Sequence, residues 1–175
     1  SGKTTDGLSL RTLKEFAGRA TYVSSWNAEG AETGYYVVDA ELRNLEGLLL
    51  DRKSTTFRVG TVSGEITEFN TVPEKFEPGE IVDISLIFKN SGSLPTSGTA
   101  MIRIIHEEAG IVEEFDHEIS NLLPEEEIRF HNAWDTTGRE EGAYKISAIV
   151  RYEAEATDPK MIYLNTDTGR SIIMY

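Results

Sequence analysis

The residues best equipped for chemistry in this chain are three histidines, His106, His117 and His131, and a large stock of carboxylates. Imidazole can hold zinc or move a proton at neutral pH, so three of them raise the prospect of a three-histidine metal site. No two stand at i, i+2 or in a short ligand motif, and the spacing fits histidines on the surface or flank of strands. The glutamates come in runs: Glu107 and Glu108, Glu113 and Glu114, Glu125, Glu126 and Glu127, then Glu140 and Glu141. Glycoside hydrolysis needs two carboxyls about 5–10 Å apart across a cleft, one of them kept protonated by burial. Runs in turns are solvated instead, so no catalytic or cofactor-binding residue is expected. Calcium is the better chemical candidate. "NTDTG" (165–169) alternates the oxygen ligands Asn165 and Asp167 ahead of a glycine, as hard-cation loops do, although the phrase is equally a hairpin turn. "SGKTT" at the start lacks the upstream glycine of a phosphate loop, and no parallel βα unit follows it.

Composition narrows the partners. The 175 residues carry a net charge of −13, which argues against nucleic acid or an anionic membrane as a partner held by bulk electrostatics. Hydrophobic residues make up 39%, enough for a packed core. Cysteine is absent, which removes disulfides and thiolate metal sites. No apolar run approaches the roughly 18 residues of a membrane span, so direct membrane insertion is not expected. No signal peptide is recognisable, and an exported parent protein would carry its targeting signal elsewhere.

The elements that must position these groups are strands. "IVDISLIF" (81–88) sets Val82, Ile84, Leu86 and Phe88 on one face, with Asp83 and Ser85 on the other. "AYKISAIVRY" (143–152) sets Tyr144, Ile146, Ala148, Val150 and Tyr152 inward against Lys145, Ser147 and Arg151. Period-2 alternation of this kind marks half-buried antiparallel strands. Turn phrases such as "PEKFEPGE", "KNSGSLPTSG", "LLPEEE" and "DTTGREEG" separate them. The pattern predicts strands near 66–72, 81–89, 98–106, 111–119, 126–134, 143–153 and a broken one over 161–174. Seven short strands in about 110 residues predict an all-β, immunoglobulin-like antiparallel β-sandwich. "SLRTLKEFAGR" (9–19) is the one stretch that also reads as a helix.

One phrase occurs twice. "WNAEGAETGYYVVDA" (26–40) and "WDTTGREEGAYKISA" (134–148) match at Trp, Gly, Gly, Tyr and Ala, each pair 108 positions apart. In a sandwich, a tyrosine near the start of the penultimate strand can turn its hydroxyl back to the preceding corner. Tyr36 and Tyr144 occupy that place, and Trp26 and Trp134 end the preceding strand, where a large ring closes the core. Residues shared by both copies belong to the fold, so these four are expected to be structural. A sugar-stacking platform is the competing reading for such rings, with Tyr22, Tyr35, Phe115 and Phe130 as its candidates.

The second copy resembles the CARDB (cell-adhesion-related) type of prokaryotic cell-surface domain. The residues that carry the resemblance are "FEPGEIVDISLIFKNSGSLPTSG", "ISNLLPEEEIRFHNAWDTT" and "EGAYKISAIVRYE", spanning about 65–152. It implies a non-enzymatic adhesion, spacer or interaction module within a longer archaeal or bacterial surface protein, located extracellularly. Its partners would be other domains of that protein, and the family brings no catalytic residues. A carbohydrate-binding or accessory domain attached to an extracellular enzyme is the alternative.

The repeat also divides the chain. Residues 61–175 are expected to form a complete sandwich, and residues 1–60 the C-terminal half of another. About four strands are expected in residues 8–59, with one apolar stripe of Tyr36, Val38, Ala40, Leu42, Leu49, Phe57 and Val59. Exposing such a stripe forfeits on the order of 10 kcal/mol, so it needs a cover. The second unit, upstream strands of the parent protein and an identical half-sheet from another copy are the three possibilities, of which a homodimer through residues 8–59 is the expected one. "GTVSGE" (60–65) reads as the linker.

Overall fold

Where apolar residues alternate, the backbone is extended and paired. The computed structural model describes residues 19–166, and the chain divides into two units, Ser1–Val59 and Gly60–Tyr175. In the first unit, β1 (Gly34–Arg43) and β2 (Leu49–Val59) form one antiparallel hairpin, with Tyr36 opposite Phe57 and Gly34 opposite Val59. Its turn is closed by Asn44, whose side-chain oxygen accepts from the N–H groups of Glu46 and Leu48. The four strands expected here are therefore two among the described residues. The helical reading of 9–19 falls almost wholly on residues outside those described.

The second unit runs β3 (Gly64–Val72), β4 (Ile81–Asn90), β5 (Thr96–His106), β6 (Gly110–Leu122), β7 (Glu127–Asp135), β8 (Ala143–Tyr152), β9 (Glu155–Ala156) and β10 (Lys160–Asn165). One sheet has the order β3-β4-β7 and the other β10-β8-β5-β6, with β9 added to β8. Every pairing between these strands is antiparallel. This is the immunoglobulin-like sandwich that the alternation predicts. Of the broken last strand, the stretch 167–174 lies outside the described residues.

The core forms because both sheets turn their apolar faces inward. Val82, Ile84, Leu86 and Phe88 of β4 are fully buried, as are Ala100, Ile102 and Ile104 of β5 and Ile146 and Val150 of β8. Each large aliphatic or aromatic side chain so buried contributes roughly 1.5–3 kcal/mol. One end is fastened by Asn90, fully buried at the close of β4. Its amide nitrogen donates to the carbonyls of Leu94 and Leu122, each at 2.9 Å, and its oxygen accepts the Gly92 N–H at 2.9 Å. One side chain thereby ties the β4–β5 turn to the end of β6, with no buried polar atom of Asn90 left unpaired. "GTVSGE" is not a free linker. The Thr61 carbonyl accepts from the N–H groups of Ser93 and Leu94, and the Ser63 carbonyl from those of Ser91 and Gly92. The segment belongs to the second unit because its backbone groups take up those of the β4–β5 turn.

Candidate functional site

Trp134 and Tyr144 sit near the end of β7 and the start of β8, so the two sheets bring their rings together. The centroids lie 5.1 Å apart in an edge-to-face arrangement, and Phe76 closes on both at 5.2 and 5.6 Å. All three rings are 1% exposed. The Tyr144 hydroxyl donates to the Glu140 carbonyl at 2.5 Å, the hydrogen bond of a tyrosine corner. Beneath it, the buried Thr136 hydroxyl donates to the Glu80 carbonyl at 2.7 Å and accepts the Gly79 N–H at 2.9 Å. The "PGE" turn and the "WDTT" strand end are thus one locked structure.

The first unit builds the same corner on its own residues. Tyr36 donates to the Glu32 carbonyl at 2.7 Å. Trp26 lies 5.2 Å from Tyr36 and 5.5 Å from Phe57. The glycines match in backbone as well as in sequence: Gly30 and Gly138 have φ of +75° and +73°, Gly34 and Gly142 +156° and +148°. These torsions are open to glycine and strained for other residues, so the phrase repeats a conformation. What differs is cover. Trp26 is half-buried where Trp134 is sealed.

Tyr144→Phe removes the corner hydrogen bond from a buried place and is expected to lower stability by roughly 1–2 kcal/mol. Tyr36→Phe should lower it by less, because water can replace the partner of an exposed hydroxyl. Burial pushes the Tyr144 hydroxyl above its ordinary value of 10.0. The folded state therefore resists its ionisation, and this contribution is intact below pH 10 and lost as pH rises beyond it. Denaturant midpoints for the two variants, with an alkaline titration of each, check the assignment. Equal midpoints for wild type and Tyr144→Phe would remove it.

The chemistry-bearing residues are spent on structure or stand apart. His106 is buried, and its Nδ1 accepts from the N–H groups of Glu108 and Ala109 at 3.3 and 3.2 Å. That acceptor role places its proton on Nε2, 3.4 Å from the Glu141 carbonyl. His117 stacks on Phe130 at 4.7 Å and meets the Asn132 oxygen at 2.8 Å. His131 is exposed on β7. Among the described residues no group of His, Cys, Asp and Glu is placed to hold a metal. Glu114 pairs with Arg103 at 3.1 Å, Glu113 with Arg139 at 2.7 Å and Glu125 with Lys89 at 2.8 Å. Such surface pairs contribute up to about 1 kcal/mol each. Asn165 is exposed at the end of β10, and Asp167, its partner in the calcium reading, lies outside the described residues.

An open depression of about 420 Å³ lies over the corner, lined in part by Glu113, Phe115, Trp134, Asp135, Gly138 and Arg139. Of the aromatic candidates for sugar stacking, Tyr22 and Tyr35 are exposed, Phe115 is half-buried and Phe130 is buried. Asn90, Thr136 and Phe76 were not singled out from the sequence. Asn90 and Thr136 are in step with the buried residues of β4 and β7, whereas Phe76 lies in the turn between β3 and β4 and has no such signal.

No family model matches the chain, and no curated protein matches it. Among solved structures, it is similar to part of a Paenibacillus sp. cycloisomaltooligosaccharide glucanotransferase solved with cycloisomaltoheptaose. That match has 18% identity and a TM-score of 0.49, over 62% of this chain and 15% of that one. A CARDB domain from Pyrococcus furiosus, solved with di-metal ions, matches at 18% identity and a TM-score of 0.42, over 64% of this chain and 97% of its own. A β-glucosidase from Listeria innocua, solved with glucose, matches at 11% identity and 0.40, over 63% of this chain and 17% of that one. At such identities and scores, none of these likenesses says what this chain binds or does.

Proposed function

We propose that the chain is a non-enzymatic structural and interaction module of the CARDB-like class, part of a longer prokaryotic surface protein. The observation that carries this reading is the corner built twice. Each copy spends its repeated Trp, Gly, Gly and Tyr on a Trp–Tyr ring contact, at 5.2 and 5.1 Å, and on the same tyrosine-to-carbonyl hydrogen bond. Repetition of an architectural device fits modules strung in series to hold distance and present faces, and Glu68, Glu113, Glu114 and Glu125 of the second unit are held in surface ion pairs.

The test is retention and turnover. The purified chain is run by affinity electrophoresis through a panel of soluble polysaccharides and incubated with chromogenic glycosides. Unretarded migration and no turnover are expected. Retardation that is abolished by Tyr35→Ala or Phe115→Ala would move the function to carbohydrate binding. Turnover abolished by Glu113→Gln would make the chain a hydrolase.

A further inference from the structure

The second unit shows what the corresponding parts of the first unit pack against when a sandwich of this type is complete. At the repeat spacing of 108, β1 corresponds to β8: Tyr36, Val38, Ala40 and Leu42 take the places of Tyr144, Ile146, Ala148 and Val150. Those four residues of β8 are at most 1% exposed, and β8 is paired on both edges, by β10 and by β5. Among the described residues β1 is paired with β2 alone, and Leu42 is 54% exposed. A second position is open in the same way. Residues 19–26 correspond to 127–134 of β7, with Tyr22 in the place of Phe130. β7 is a strand because β4 satisfies its backbone. Residues 19–26 carry a comparable pattern and lie in no strand, and Tyr22 is 48% exposed where Phe130 is 9%.

The two positions belong to opposite sheets, and in the second unit one continuous stretch, 81–106, fills both as β4 and β5. We infer that the first unit is the receptor for a donor segment of this β4–β5 kind: two apolar-alternating strands in one polypeptide, one seated beside residues 19–26 and the other beside β1. The register follows from the β5–β8 pairing. Donor residues in the places of Ala100, Ile102, Ile104 and His106 lie opposite Leu42, Ala40, Val38 and Tyr36. Pairing of this sort adds backbone hydrogen bonds along the edge and pockets for alternate side chains. A second copy of the chain fits less well. A β1 edge laid against another β1 edge fills one position and leaves residues 19–26 without a neighbour. The chain's own β4 and β5 are committed, with Val82, Ile84, Leu86, Ile102 and Ile104 fully buried in the second unit. Charge does not bar a donor, since residues 1–59 hold eight acidic and eight basic side chains. The other 22 acidic and nine basic residues lie in 60–175.

The test extends the full chain ahead of Ser1 by a copy of residues 64–108, which preserves the repeat spacing. Amide hydrogen exchange is then followed by NMR. In the extended chain the amides of residues 19–26, and those of β1 on the edge remote from β2, should exchange at least about 100-fold more slowly. An extension carrying aspartate in the places of Ile84, Leu86, Ile102 and Ile104 should leave them fast. The amides of β8 report in the same sample that the second unit is folded. Should the extended chain precipitate, a peptide copying 81–106, titrated into the full chain, supplies the same readout. The inference is overturned if neither format slows exchange, or if the aspartate extension slows it equally. It is also overturned if the unextended chain becomes protected as its concentration rises, which assigns the face to a second copy.

Discussion

Trp134→Ala is expected to cost the second unit about 3–5 kcal/mol, the usual range for deleting a sealed large aromatic ring. The ring is 1% exposed and lies within 5.2 Å, centre to centre, of Phe76 and Tyr144. Its loss opens a cavity at the end of the core where the two sheets meet. Against a total stability of roughly 5–15 kcal/mol for a domain, a change of this size shifts the denaturation midpoint severely. One circumstance moderates it: the indole Nε1 is buried without a hydrogen-bond partner. Trp134→Phe, which keeps a ring and removes that N–H, should therefore lose less than the alanine variant. Trp26→Ala should cost about 1–2 kcal/mol, since its ring is already half in water. Guanidinium unfolding followed by far-ultraviolet circular dichroism measures all three. Equal losses at positions 26 and 134 would mean that the two corners are equally covered in solution.

Gly98→Ala is expected to cost about 3 kcal/mol, through crowding rather than through a cavity. Gly98 lies in the central strand β5, opposite Tyr152 of β8. A Cβ added there would land on the Arg151 carbonyl oxygen and come within 2.8 Å of the Tyr152 Cα. Both are backbone atoms, so neither can swing aside, and β5 must part from β8. The disturbance extends further because the Tyr152 hydroxyl accepts the Gly64 N–H at 3.1 Å, tying β8 to the first strand of the opposite sheet. A thermal midpoint within a degree or two of wild type would show that β5 and β8 have room to spare at this point.

The strands of the second unit were legible because their faces are asymmetric. In 81–88 and 143–152 every second residue is apolar, and those are the residues that the two sheets bury. The aromatic corner was legible because it is written twice. Strand count in the first unit was not, for a physical reason. Residues 19–26 and 127–134 share a pattern, yet only the latter is a strand, since a ladder needs a neighbour and the neighbour is distant in sequence. The role of "GTVSGE" was hidden too, because its carbonyls do the binding and carry no side-chain signal. His106 was readable in principle. It falls in step with Ala100, Ile102 and Ile104, so alternation alone turns it inward, where its ring organises the following turn.

The outer position of β6 governs how such units behave when crowded. This 13-residue strand pairs with β5 on one side and forms the rim of the larger sheet. A long rim with unsatisfied backbone groups is a template for another strand. Here it carries Glu113, Glu114, Asp116 and Glu118 within six positions, and its ladder with β5 is broken by irregularities near both ends. Arg139 and Arg103 pair with Glu113 and Glu114, so two such rims brought together would oppose chiefly Asp116 and Glu118. An acidic, irregular rim of this kind disfavours the addition of a further strand to β6.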